Sequence, residues 1–183
     1  MHASTPGQQP VDPQAPLANF SQCHDGITSQ LEALAGLPEL VTAAQRARAV
    51  ANGALALFRD AVFEHHAQEE KDLFPAVLRS AAAGAERDRV DALVQRLTSE
   101  HRALEGLWKR LEPSVAAVAH GRGTGIDSGL LHHLVRGYLQ HANFEEQQFL
   151  PLAQQVLERD GNHLAALGLA LHLRHLPQPV GHI

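Results

Sequence analysis

The feature that most constrains this chain is a phrase of eleven residues that occurs twice. Residues 65–75 read HHAQEEKDLFP and residues 141–151 read HANFEEQQFLP, so both follow His-x-x-x-Glu-Glu-x-x-apolar-apolar-Pro. Two more histidines, His24 and His101, lie 77 residues apart, close to the offset of 76 between the two phrases. Apolar residues follow both at the same helical spacings. The repeat therefore predicts two similar helical hairpins.

Composition and periodicity predict an all-α protein. Only 4% of the 183 residues are aromatic, and the apolar 44% is dominated by the helix formers Ala and Leu and by Val. We expect four long helices at about 17–36, from after Pro38 to about 83, 85–120 and 127–160, with Asp127 as an N-cap. A short fifth helix is expected at about 162–175. Two packed hairpins give an antiparallel up-down four-helix bundle, with the short fifth helix after it.

The domain boundaries follow from the same patterns. Residues 1–16 are rich in Pro and Gln and are expected to be a disordered tail, residues 17–176 the bundle, and residues 177–183 a C-terminal tail. The link between the first two helices has two interpretations. Either the second helix extends several turns beyond the first, or part of 38–53 is a connector, broken at Asn52-Gly53.

Charge and hydropathy argue against several classes of partner. The formal net charge is −5 and no Lys/Arg-rich run occurs, which disfavours nucleic acid. No apolar run is long enough to span a bilayer, so no membrane partner is expected. Cys23 is the single cysteine, which fits a reducing cytoplasm. The oligomeric state stays open.

The repeated phrase predicts a metal centre. Residues i and i+4 share a helix face, so His65 points with Glu69 and His141 with Glu145. With His24 and His101 from the other helices, four imidazoles and two carboxylates would meet inside the bundle. These donors suit iron, manganese or zinc. An interior without an ion would leave such polar groups at a high cost in free energy.

At these residues the chain resembles the hemerythrin-like family of HHE cation-binding domains. The pattern H…HxxxE…H…HxxxE is matched over about residues 17–160, and the endings LFP and FLP also look like that family. The resemblance implies a non-heme centre of two oxo- or hydroxo-bridged iron ions, with Glu69 and Glu145 as bridging carboxylates. The implied metal ligands are His24, His65, Glu69, His101, His141 and Glu145.

The chain also departs from the oxygen-carrying hemerythrins. Those have HxxxH on the third helix, whereas Glu105 follows His101 here at i+4; they have Asp at i+5 after the last ligand histidine, whereas Glu145 and Glu146 stand at i+4 and i+5. Reversible oxygen transport is therefore disfavoured. We expect a protein that binds or reacts with dioxygen, peroxide or nitric oxide, or alternatively an iron- or redox-sensing module without catalysis. If it is an enzyme, we expect a peroxide-consuming di-iron oxidoreductase; no catalytic residue is assigned.

Several neighbours of the six ligands have alternative interpretations. His66 pairs with Glu70 as well as His65 does with Glu69, but Ala142 has no such histidine, so His66 is either an additional ligand or, as we expect, a residue of the helix surface. Glu70 and Glu146 would be solvated or would orient a ligand imidazole. Glu105 shares a helix face with His101 and is a candidate seventh ligand. Tyr138 either lines the metal pocket, where it could donate to a bound oxygen species, or only packs against its neighbours. Pro75 and Pro151 predict a kink or a weakened helix at about Lys71 and Gln147.

Overall fold

The computed structural model describes residues 16–123 and 125–159, with side chains described from residue 24 onward except at 124. The predicted fifth helix and the C-terminal tail lie outside these residues. So does the predicted N-terminal tail except for Pro16, which is the first residue of a helix.

The described residues are helical and contain no strand, which confirms the all-α prediction. Three five-residue π-helical segments, Phe58–Val62, Glu69–Leu73 and Glu145–Phe149, join neighbouring α-helices without a loop. The α-helices are α1 (Pro16–Ala35), α2 (Leu37–Leu57), α3 (Phe63–Gln68), α4 (Phe74–Ser80), α5 (Ala85–Ala119), α6 (Ser128–Phe144) and α7 (Leu150–Glu158).

The helix boundaries decide three expectations about the chain. Helix α2 runs unbroken through Asn52-Gly53, so the interpretation of that pair as a break in a connector is wrong. The helical stretch that was expected to reach about Ala83 ends at Ser80, because Ala81 is extended (ψ 133°) and Gly84 takes a positive φ of 91°. Asp127 is the N-cap of α6, as predicted: its Oδ1 accepts a hydrogen bond from the Leu130 N–H at 2.9 Å.

The chain divides into two compact units, residues 1–47 and 48–183. The first holds α1 and the beginning of α2. The second holds the end of α2, all later helices and two clusters of buried apolar side chains. One cluster surrounds Phe74, Leu97 and Phe149; the other surrounds Trp108, which stacks on Phe58 with ring centroids 3.9 Å apart. Burial of these apolar side chains stabilises the second unit.

Within the described residues, no helix combines the length and the apolar character that crossing a bilayer requires.

Candidate metal centre

The two repeated glutamates each begin a π-helical segment. The Phe74 N–H donates to the Glu69 carbonyl and the Leu150 N–H to the Glu145 carbonyl, five residues back in both cases. Pro75 and Pro151 follow at once. Because proline has no N–H and its ring crowds the carbonyl four residues earlier, an α-turn is disfavoured there. The predicted weakening of the helix around Lys71 and Gln147 is thus confirmed, as a widened turn.

Three buried histidines form the first group of potential ligands. His66 on α3, His101 on α5 and His141 on α6 expose 1%, 0% and 3% of their surface. One ring nitrogen from each lies within 4.8 Å of the other two. The Nε2 atoms of all three are buried and have no hydrogen-bond partner in the described structure. Three unpaired imidazole nitrogens in one place are a suitable donor set for a transition metal ion.

Each of these three histidines meets a glutamate at its other nitrogen. Nδ1 of His101 lies 2.8 Å from Glu70, and Nδ1 of His141 lies 3.0 Å from Glu100. Nδ1 of His66 lies 3.4 Å from Glu105, the longest of the three. An ionised carboxylate can only accept, so Nδ1 carries the proton. Nε2 of His66 and of His141 then keeps its lone pair, whereas Nε2 of His101 faces the Glu69 carboxylate. This is the histidine–carboxylate pairing that orients metal ligands in many proteins.

Two exposed arginines hold these glutamates from the solvent side. Arg96 donates to Glu100 at 2.7 Å, and its guanidinium also lies 3.4 Å above the ring centroid of Phe144. Arg102 donates to Glu70 and also approaches Glu105 at 3.4 Å. Each buried imidazole is therefore linked to the protein surface through one carboxylate.

The second group of potential ligands consists of His65, Glu69 and Glu145, whose donor atoms also lie within 4.8 Å of one another. Glu69 connects the two groups. Its Oε1 lies 3.2 Å from His65 Nε2, whereas its Oε2 lies 3.3 Å from His101 Nε2. Oε2 has no hydrogen-bond partner although the imidazole nitrogen is so close. This arrangement is expected of two atoms that are ligands of the same metal ion, because both then point at the ion rather than form a hydrogen bond with each other.

The charges of this region also favour a cation. Burial and the adjacent Glu69 carboxylate raise the pKa of Glu145 to about 9. Burial opposes ionisation of Glu69 too, but His101, Glu145 and His65 outweigh it and hold its pKa below the usual value. Burial lowers the pKa of His66 to about 3, so this imidazole is neutral and its lone pair is available. A cation would replace the proton that Glu145 otherwise keeps.

The pKa of His101 shifts in the opposite direction from that of His66. Burial disfavours its protonated form, but the nearby Glu69 and Glu70 carboxylates outweigh burial and raise the pKa.

Within the unit of residues 48–183 the structure brings together five of the residues expected as ligands: His65, Glu69, His101, His141 and Glu145. The sixth, His24, lies on α1 in the unit of residues 1–47. Its role as a ligand stays a prediction.

His66 corrects one expectation. The helix-surface position expected for it is wrong, because its ring is buried against His101 with centroids 3.9 Å apart.

Of the other candidate residues near the site, three lie close to the buried histidines and one is exposed to solvent. Glu70 reaches the His101 ring, as expected for an orienting carboxylate, while Glu146 is exposed and fits the solvated interpretation. Glu105 lies against His66. The half-buried Tyr138 lies beside two imidazoles, with its ring centroid 6.1 Å from His66 and 6.0 Å from His141.

Sequence reasoning missed Glu100, Arg96 and Arg102. The pair Arg96 and Glu100 has i,i+4 spacing, which indicates only a helix-surface ion pair. Nothing in the spacing shows that Glu100 reaches across to His141, 41 residues later.

Comparisons with known proteins identify a family of cation-binding domains. A family model described as the hemerythrin HHE cation binding domain matches residues 15–153. An uncharacterized protein of Haemophilus influenzae (strain ATCC 51907 / DSM 11121 / KW20 / Rd) is 25% identical over 158 residues, which cover 82% of this chain and 88% of that protein. No solved structure matches the chain.

Proposed function

Because the chain belongs to the hemerythrin HHE cation-binding domain family, we propose that it is a cytoplasmic non-heme di-iron protein that binds or reacts with dioxygen, peroxide or nitric oxide. The proposed ligands are His65, Glu69, His101, His141 and Glu145, together with His24, which is included on the strength of the sequence repeat. The four long helical stretches are proposed to form an antiparallel bundle.

The position of Glu69 is the observation that carries this proposal. One carboxylate oxygen faces His65 and the other faces His101, at 3.2 and 3.3 Å. A carboxylate between two donor groups can bind one ion through each oxygen. Glu145, whose donor atom lies within 4.8 Å of both His65 and Glu69, offers a second carboxylate beside it. Two adjacent ions therefore account for this arrangement better than one.

The donor types favour iron. Imidazole and carboxylate together bind iron, manganese and zinc, and thiolate-preferring metals find no sulfur in either donor group. Bound iron would supply open coordination positions and a redox couple for a small ligand. Manganese and zinc are the competing ions that metal analysis must separate.

The protein's own residues prepare the site for a small ligand. Glu70, Glu100 and Glu105 each lie against Nδ1 of one buried imidazole, which orients the ring and leaves Nε2 as the nitrogen available to an ion. Burial and the charges of Glu69 and Glu145 raise the pKa of Tyr138, so its phenol keeps its proton at neutral pH and can donate it in a hydrogen bond.

Metal analysis and absorption spectroscopy test the proposal. Protein purified in air is expected to contain about two iron ions per chain and to absorb in the near ultraviolet, as an oxo-bridged ferric pair does. Peroxide consumption by this protein is then compared with that of the double variant Glu69→Gln with Glu145→Gln, which keeps the side-chain shapes. Iron-dependent loss of peroxide would support an enzyme.

Two outcomes would change this conclusion. A colourless protein that carries only zinc, or no metal at all after reconstitution with ferrous iron, would refute the di-iron proposal. A stable iron pair that neither consumes peroxide nor binds nitric oxide or dioxygen would instead favour an iron- or redox-sensing module.

A further inference from the structure

We propose that His66 supplies the third imidazole of a three-nitrogen ion position with His101 and His141, and that Glu105 is the residue that positions it. This inference rests on the proposed function, because it concerns one of the two ion positions. His66 lies outside both His-x-x-x-Glu pairs that the repeat defines, since its own i+4 partner is Glu70 rather than the buried Glu69.

The first argument is the direction of the lone pair. Nδ1 of His66 lies against the Glu105 carboxylate, which accepts its proton, so Nε2 is the unprotonated nitrogen. A lone pair cannot donate a hydrogen bond to a bound oxygen species, but it can bind a cation. His101 and His141 show the same arrangement with Glu70 and Glu100.

The second argument is the cost of leaving that nitrogen without a partner. Nε2 of His66 is fully buried and has no hydrogen bond. A buried acceptor without a partner costs about 1–3 kcal/mol. His65, by contrast, exposes 39% of its side chain and can exchange its contacts with water. Of the two adjacent histidines, His66 would therefore be stabilised more by a bound ion.

The third argument is convergence from separate helices. The three Nε2 atoms come from α3, α5 and α6, all within the unit of residues 48–183. The rings of His66 and His101 are almost parallel, at 5°. One ion in the plane of both rings requires one imidazole to turn about χ2, a soft torsion. An altered angle between these rings is therefore an expected mark of the metal-bound protein.

The consequence is two unequal ion positions. The position of His66, His101 and His141 is rich in nitrogen, whereas the position of His65, Glu69 and Glu145 is rich in oxygen. Nitrogen donors favour the later first-row metals, so cobalt or zinc ions should fill the nitrogen-rich position first.

Cobalt(II) titration of the full-length, metal-free protein tests this inference. We compare wild type with His66→Ala, His66→Gln, His65→Ala and Glu105→Gln, and use His133→Ala, an exposed histidine, as the matched control. Calorimetry gives the number and affinity of bound ions, visible absorption reports their ligands, and circular dichroism checks the fold.

The expected results separate the two histidines. Wild type and His133→Ala should bind two cobalt ions per chain, the first more tightly. In His66→Ala and His66→Gln the affinity of the tighter binding step should fall at least about tenfold, and the visible spectrum should change. In His65→Ala the affinity of the weaker binding step should fall instead. Glu105→Gln should keep both ions but weaken the tighter step by about 10–100-fold.

Specific results would overturn the inference. If both His66 variants fold and bind the first ion like wild type, His66 is not a ligand, while a wild type with two ions leaves the proposed function intact. If the His66 variants do not fold, Glu105→Gln decides, because unchanged cobalt affinity in that variant refutes the positioning role. A wild-type protein that binds no cobalt, zinc or iron refutes the proposed function as well.

Discussion

The two copies of the repeated phrase agree at their first glutamate and at their proline, but they differ in which histidine and phenylalanine positions are buried. Glu69 and Glu145 are buried, begin a π-helical segment and precede a proline by six residues, all at the sequence offset of 76. The buried histidine and phenylalanine are instead 75 residues apart, as His66 with His141 and Phe74 with Phe149. His65 and Leu150, the counterparts at offset 76, are partly exposed. Leu73 and Phe149 keep the offset of 76 and are both buried, so it is His66 and Phe74 that depart from the shared register.

Helical geometry allows this difference. Residues at i+3 and at i+4 both lie on the face of residue i. His66 therefore shares a face with Glu69 at three residues, as His141 does with Glu145 at four. What selects the buried imidazole is the opposite helix, where Glu105 and Glu100 receive the Nδ1 protons of these two histidines. A contact across helices overrides the sequence repeat.

Replacing Glu69 and Glu145, which keep the offset of 76, should have the largest effect on metal binding. The double variant Glu69→Gln with Glu145→Gln removes both buried carboxylates but keeps their shape. We expect iron affinity to fall at least about a hundredfold, because removing ligands should exceed the roughly 10–100-fold cost of losing an orienting residue, and iron content should fall with it. Elemental analysis of folded protein measures this.

The control for that experiment is Glu146→Gln, which changes an exposed carboxylate one residue away. Equal iron in both proteins would show that the buried carboxylates are not ligands.

The phenylalanines test the shifted register. Phe74→Ala and Phe149→Ala should each lower the free energy of unfolding by about 3–5 kcal/mol, because both rings are buried. Leu150→Ala, at the offset of 76 from Phe74, should cost about 1 kcal/mol or less, since Leu150 is 39% exposed. Urea unfolding of the metal-free variants gives these values.

A second measurement sharpens the same point. The two rings meet edge to face with centroids 5.1 Å apart, so the double variant should cost less than the sum of the single ones. If Leu150→Ala were as harmful as Phe149→Ala, the shift in register would be wrong.

The contact across helices can be weakened at Glu100. Glu100→Gln keeps an acceptor for His141 Nδ1 but removes the charge, so metal affinity should fall by about tenfold, or roughly 1.4 kcal/mol. Competition with a metal-binding dye reports the affinity. Arg96→Gln should have a smaller effect in the same direction, because Arg96 acts only through Glu100. Unchanged affinity in Glu100→Gln would mean that the orienting role is absent.

The smallest effect is expected at the prolines. Pro75→Ala restores a backbone hydrogen-bond donor. The free energy of unfolding of the metal-free protein should therefore rise by about 1 kcal/mol, less than the ~3 kcal/mol that proline costs inside an ordinary α-helix. Thermal unfolding measures the gain. If the π-helical turn depends on the proline, metal content should drop in the same variant, because Glu69 would turn relative to α4. A loss of stability in metal-free Pro75→Ala would contradict this account.

The fold class and much of the site could be predicted because both depend on local periodicity. Helical spacing located the helices, and the repeat located Glu69 and Glu145, whose partners lie on the same helix face. Prolines marked two of the three π-helical segments, Glu69–Leu73 and Glu145–Phe149, whereas no proline follows Phe58–Val62. The burial of His66, which was expected on the helix surface, could not be predicted, because it depends on Glu105, a residue 39 positions away. Glu100 was missed for the same reason, since a lone glutamate on an exposed face gives no local signal.

The π-helical turn between α3 and α4 also affects how this chain tolerates changes in length. Such a turn contains one residue more than the α-helical turn that it replaces. Deleting one residue among 70–72 would leave an uninterrupted α-helix in which the later positions keep nearly the same direction. If the same residues became an α-helix without a deletion, every later position would instead rotate by about 100° about the axis. Phe74 and Val77 would then leave the cluster that they fill with Phe149. The π-helical turn thus accommodates one additional residue while α3 and α4 keep their contacts with different neighbours.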